Sequence, residues 1–374
     1  MKNGVLWTAL CLWLSLPYYI YGTTDVMLLQ PVEPDSVQID DFFWSKLQDS
    51  VRKYFPEIQK APFRPIVDAE ELVNLQRQWQ EVLPQVSLTG SYRGQTDCME
   101  KLDAALNLLQ LSGRLAMATG ESKYMDMVER GLYNEVAGAM RDDNKTESLR
   151  KAAPEIMAMP QWTYATTGTH IYVNFIMRSE VHIKTDSLDL RLSLVGSIPW
   201  YNKYMIIVEM DKPMQHFTLH VRIPSWLTGK NILPGLQSWT NRRTYSLTVN
   251  GEMPEKQMEN GYLVVERDWK HRDFLHFTLV DNVLRLNYRD NPSLLALQRG
   301  PLVYAFDQLA QEDSAWLRSQ APVNNRFDKE KACVELKVRT YNSQGVETDT
   351  ITAIPYIWNR RKLGEKIFVR QLEK

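Results

Sequence analysis

The sequence predicts a multidomain α + β chain: a helical region first, then antiparallel β-sandwich structure to the end. Three observations carry this. Between Asp41 and Val136, apolar residues recur at helical spacing between recognisable caps. After Pro160 the apolar period shortens to two. Within Gln215-His-Phe-Thr-Leu-His-Val-Arg-Ile-Pro-Ser-Trp226, Phe217, Leu219, Val221 and Ile223 alternate with Thr218, His220 and Arg222, giving a strand with one apolar and one polar face. Pro224 has no N–H to offer a ladder and stops that strand.

The chain of 374 residues has room for two or three domains. Its 44 basic and 45 acidic residues balance to a net charge of −1, which argues against nucleic acid or an anionic membrane surface as a partner. Residues 1–22 read as a secretory signal peptide. Lys2 precedes an apolar run over residues 5–16, too short to span a bilayer, and Pro17 and Gly22 follow it. The expected location is therefore secreted or periplasmic, with no membrane span beyond the signal; an uncleaved anchor is the alternative. Cleavage would leave Cys98 and Cys333, too few for a disulfide framework. The 11 tryptophans are expected mainly in the core, with sugar-stacking platforms as the minority use.

Residues 23–158 form the helical region. Asp40 or Asp41 can cap a first helix bearing Phe43, Leu47, Val51 and Tyr54, which Pro56 ends. Asp68-Ala-Glu-Glu71 is an acidic capping box opening a second helix with Leu72, Leu75, Trp79 and Leu83. A third runs over residues 98–119 to Gly120. Ser122 is the expected cap of a fourth, with Tyr124, Val128, Leu132 and Val136 at spacing four. Residues 141–150 are polar and expected as a mobile connection. Residues 159–282 are expected to form a β-sandwich, and residues 283–374 a second sandwich or set of strands. Asn250-Gly251 signals a type I′ hairpin, and the runs at 262–266 and 274–280 are expected to pair.

An ordered series of motifs resembles glycoside hydrolase family 127, the β-L-arabinofuranosidase group. It comprises Asp41-Phe-Phe-Trp44, Glu129-Arg-Gly-Leu-Tyr-Asn134, Tyr172-Val-Asn174, Ile198-Pro-Trp200, Phe217 to Trp226, Val249-Asn-Gly251, Gly261-Tyr262 with Glu266-Arg-Asp-Trp269, Arg299-Gly-Pro-Leu-Val-Tyr304, and Ile354-Pro-Tyr-Ile-Trp358 with Asn359-Arg360. The resemblance implies an (α/α)6 catalytic barrel. Twelve helices of about 11–12 residues each cannot fit before the sandwich; with about four helices visible, the helical region is expected as a shortened remnant of that barrel. Such a remnant is expected to leave an apolar face exposed.

The resemblance also implies zinc held by a glutamate and three cysteines, one of them the nucleophile, whose thiolate the metal makes available at neutral pH. Counting 28 residues back from Glu129, as the family spacing requires, places Lys101 at the glutamate position and Asp103 at the first cysteine. The family's Cys-Cys-Pro becomes Ala152-Ala153-Pro154, so the nucleophile position is Ala152 or Ala153. Spacing points to Gln85 for the acid/base glutamate. No zinc is therefore expected; a rebuilt site could draw only on Cys98 and Glu100, with His170 or His182 nearest in sequence. Asp126 and Glu129 share a helical face, and Glu266 and Asp268 a strand face; both pairs read as solvated surface.

Three readings are compatible with these residues. One is an inactive relative of an enzyme acting on terminal β-L-arabinofuranosyl units. Another is a non-catalytic sandwich protein binding plant-type oligosaccharide or polysaccharide. The third is an active glycosidase with a relocated site. The four substituted positions favour the first.

Overall fold

The computed structural model describes residues 29–41, 43–141, 145–196, 203–239, 245–255, 257–279, 283–306, 316–318, 322–328, 333–358 and 367–372. The signal segment, Ile198-Pro-Trp200 and Asn359-Arg360 lie outside them.

Six α-helices are present among these residues, all but one in the first half. For α1 (Trp44–Tyr54) the structure selects Asp41: its carboxylate accepts the N–H groups of Phe43 and Trp44, while Asp40 pairs with Arg178. For α2 (Ala69–Val82), Asp68 accepts the Glu71 N–H at 2.7 Å, and Glu71 reaches back to the Val67 N–H at 3.0 Å. For α3 (Cys98–Thr119), Asp97 caps the start and Gly120, at φ 66°, closes the end. Ser122 is not the cap of α4 (Ser122–Gly131) but its first residue, and its N–H is spent on the Asn260 carbonyl at 2.9 Å. A π-turn over Leu132–Val136 prolongs α4.

Residues 145–163 correct the expectation of a mobile connection, and the helix they form runs past the 158/159 boundary. They build α5 (Lys145–Thr163), although Pro154 and Pro160 lie inside it. Pro160 leaves the Ile156 carbonyl without its usual N–H partner, and the Gln48 side-chain amide of α1 supplies one at 3.1 Å. The helix does carry an apolar stripe at helical spacing, and burial widens around it towards its C-terminal end. Leu149, Ala152, Ile156, Met159 and Trp162 are buried, and so are Ser148, Glu155 and Gln161, because neighbours surround it. Nor is a continuous apolar face left open. Trp44, Trp79 and Trp162 are buried, and Tyr54, Val67 and Val73 are the large apolar residues exposed in the helical part among the described residues.

Burial raises the Asp41 carboxyl to about 6, against the pull of its backbone hydrogen bonds. Between about pH 4 and 6 the folded protein thus holds a proton that the unfolded chain releases. This contribution to stability is present below the unfolded pKa and lost as pH rises through about 6. Asp41→Asn keeps a capping oxygen but cannot ionise. Urea midpoints across pH 4–7 should show the parent losing ground to the variant as pH rises; parallel curves would refute this.

Two six-stranded sheets follow. The first runs, in spatial order, Gln30–Pro31, Tyr164–Thr167, His170–Val173, Met214–Arg222, Tyr262–Lys270, Gln257–Glu259. The second runs Tyr245–Val249, Phe274–Leu279, Lys203–Glu209, Asp189–Val195, Ser179–Lys184, Val37–Ile39. Phe217, Leu219 and Trp269 of one and Leu192, Ile206 and Phe277 of the other belong to one buried apolar cluster, the sandwich core. Residues 30–39 of the first segment thus contribute an edge strand to each sheet. The sandwich is not wholly antiparallel, since His170–Val173 runs parallel to Met214–Arg222. A third sheet of nine strands takes Leu236–Trp239 and the strands from Val283 onward. It closes on itself because Leu302–Phe306 pairs with both Glu347–Pro355 and Asn291–Arg299.

One strand expectation is met at its turn and another fails. Asn250 and Gly251 do take positive φ, 53° and 88°, and Val249 bonds back to Glu252. Beyond that bridge the hairpin is not extended, and Tyr245–Val249 pairs with Phe274–Leu279. The runs beginning at Tyr262 and Phe274 do not pair; each joins a different sheet. Among the described residues no helix is long and apolar enough to cross a membrane.

Candidate functional site

The motifs of the sequence meet in space. The polar face of Met214–Arg222 is buried from Thr218 to Arg222. Arg222 projects towards α4, and its guanidinium reaches Asp126 at 2.6 Å, Glu129 at 2.6 Å and the Asn174 carbonyl at 2.6 Å. Asp126 and Glu129 are therefore not surface carboxylates. Asp126 also accepts the Ser225 N–H at 3.0 Å, and Glu129 accepts from the Trp226 indole at 2.9 Å. Asn174 accepts from the Tyr262 hydroxyl at 2.8 Å. Asn134 donates to the Pro301 carbonyl at 3.0 Å and accepts from the Val303 N–H at 2.8 Å. The ordered series of motifs thus forms a seam of hydrogen bonds and ion pairs welding α4 to the sheets. Burial raises Asp126 to about 6 against the Arg222 charge. For Arg222, burial alone would lower the pKa; Glu129 and Asp126 reverse that and leave it raised. All three groups have their partners, so the seam is a structural clamp with no free acid or base to offer.

Of the positions implied for zinc, Lys101 and Asp103 fall on α3 and Ala152 and Ala153 on α5. Asp103 is ion-paired with Lys151, the neighbour of Ala152 in the chain. Ala152 and Ala153 are wholly buried. Lys101, two residues before Asp103, directs its ammonium to the Tyr356 hydroxyl at 3.5 Å. A cation, a carboxylate already neutralised by lysine and two methyl groups do not form a zinc donor set. Gln85 ends a 3-10 turn, is exposed and bonds the Glu81 carbonyl. The alternative donors do not converge. Cys98 is half-buried at the start of α3 and Glu100 is exposed. His170 bonds His220 at 3.0 Å on one sheet, and His182 bonds Asp189 at 3.0 Å on the other. Among the described residues, no three His, Cys, Asp or Glu side chains are grouped to hold a metal. Glu266 and Asp268 are exposed, as expected, and both contact His216.

Sequence reasoning missed a cleft of about 370 Å³ between the loop before α3 and the third sheet. Its helical-side wall carries hydroxyls: Ser87 Oγ lies 3.1 Å from Thr89 Oγ1 and 3.0 Å from Ser91 Oγ. Arg93 crosses the cleft to stack on Tyr288, its guanidinium carbon 4.0 Å from the ring centroid. Lys101, Tyr356 and Phe368 complete the wall. Tyr288 has its hydroxyl pKa raised by burial, so it stays protonated and can donate. The hint in the sequence was Leu88-Thr-Gly-Ser-Tyr-Arg93, dense in hydroxyls yet legible only as a loop.

Residues 170–280, most of the first sandwich, match the family model described as the GH127 middle domain of β-L-arabinofuranosidase. A solved GH127 β-arabinofuranosidase is similar with a TM-score of 0.69 and 21% identity, over 88% of this chain and 59% of that one. A GH127 β-L-arabinofuranosidase from Geobacillus stearothermophilus T6 gives 0.66 and 17%, over 88% and 59%. A further glycoside hydrolase gives 0.62 and 17%, over 88% and 65%. The likeness is one of fold, and the chain spans less than two thirds of the length of each of these structures. No curated protein sequence matches it.

Proposed function

We propose that this GH127-like chain is a secreted or periplasmic carbohydrate-active protein that has lost arabinofuranosidase chemistry. On this reading the helical part is a shortened form of the family's barrel, and the protein holds a plant-type glycan without cleaving it. The observation that carries the reading is the content of the four metal positions. Where the family resemblance implies a glutamate and three thiolates, this chain has Lys101, an Asp103–Lys151 ion pair and two buried alanines. An ammonium at a ligand position repels a cation, and an alanine cannot attack the anomeric carbon. The fold similarity supports a carbohydrate partner.

The purified protein is expected to hold far less than one zinc per chain by elemental analysis. It should release no product from a chromogenic β-L-arabinofuranoside, and Cys98→Ser should change neither result. One zinc per chain together with turnover lost in Cys98→Ser would establish a relocated thiolate site and overturn the reading.

A further inference from the structure

We infer that the cleft between the Ser87–Ser91 hydroxyls and Tyr288 is a binding site for a uronic-acid unit of an oligosaccharide. The inference rests on the carbohydrate reading above and adds the charge of the ligand. Among the described residues two cations line the cleft, Arg93 and Lys101, against one carboxylate, Asp290, so this lining carries one net positive charge. Neither cation has a carboxylate within ion-pair distance among the described residues. Arg93 bonds the Val86 carbonyl and stacks on Tyr288; Lys101 meets the Tyr356 hydroxyl and lies 5.9 Å from the centre of its ring. Both charges are held on aromatic walls and left to face the cleft.

The rest of the lining suits a sugar. A pyranose ring offers apolar C–H faces for aromatic walls and hydroxyls for polar ones, and the cleft has Tyr92 and Phe368 on one hand and Ser87, backed by the buried Thr89 and Ser91, on the other. A volume of about 370 Å³ is at the small end of ligand clefts, room for a short saccharide. A single carboxylate matches the net charge of the wall, and an arabinofuranosyl unit would leave it unneutralised. Lys101 thus has a use at the position that a metal-binding glutamate would occupy: it attracts the sugar's carboxylate directly.

Calorimetric titration of the full chain tests this with trimers of galacturonate, glucuronate and mannuronate, a neutral galactose trimer, a sulfated disaccharide and acetate. At least one uronate trimer should bind about tenfold or more tightly than the neutral trimer, and weaken as salt is raised. Lys101→Glu and Arg93→Gln should each lower that affinity about tenfold with an unchanged unfolding midpoint. Equal binding of neutral and uronate trimers, or full affinity in both variants, overturns the charge assignment and leaves the carbohydrate reading standing. Acetate binding as tightly as the trimers shows an anion site without sugar recognition, and binding of the sulfated sugar alone shows the wrong anion; either overturns the inference. Binding of no saccharide at all overturns the inference and the carbohydrate reading together.

Discussion

Replacing Arg222 with alanine should destabilise the protein by about 3–5 kcal/mol, because it leaves Asp126 and Glu129 buried without their counter-charge. The guanidinium is wholly enclosed. The loss should appear as a large fall in the urea midpoint, together with loosening of α4 from the sheet in hydrogen exchange. A second variant separates a buried-charge effect from lost packing. In Arg222→Met with Asp126→Leu and Glu129→Gln, both charges of the pairs disappear together, and much of the stability should return. A single Arg222→Ala within about 1 kcal/mol of the parent would mean that the clamp is solvated in solution, contrary to its burial.

Trp162→Ala should cost a similar amount, about 3–5 kcal/mol, through the cavity it opens. The indole is wholly buried at the end of α5 and lies against Gly113 of α3. A Cβ built on Gly113 would come within 2.4 Å of the ring, so the glycine is there to let the two helices approach. Phe63 meets the same ring edge-on at 6.0 Å. Trp162→Phe retains part of the ring and should lose less. If both variants unfold at the parent's midpoint, α5 is not the packed centre of the helical part. Neither this change nor Arg222→Ala touches the cleft, so a folded variant at low temperature should still bind saccharide.

Much of the local structure was legible because its causes are local. Asp68 caps through its own neighbours, and Gly120 closes α3 by a conformation that few residues other than glycine adopt readily. The cleft was not legible in the same way. Its two walls, around Ser87 and Tyr288, are about 200 residues apart in the chain, and nothing in either stretch names the other. Asp126 and Glu129 show the limit most clearly. Spacing of three on a helix describes a solvated face and a buried clamp equally well, and only the arrival of Arg222 from a distant strand distinguishes them.

What the sequence determined by itself is the change from helical to strand period after Pro160, the alternation in Met214–Arg222, and the helix ends at Asp68 and Gly120. Those are properties of neighbours along the chain or of residue identity. Tertiary structure alone decided which polar face was buried, which strands paired, and that α5 survives two prolines. The reason is the same in each case: an orphaned carbonyl at Ile156 or a desolvated carboxylate at Asp126 is costly until a partner arrives, and the partners, Gln48 and Arg222, come from far along the chain.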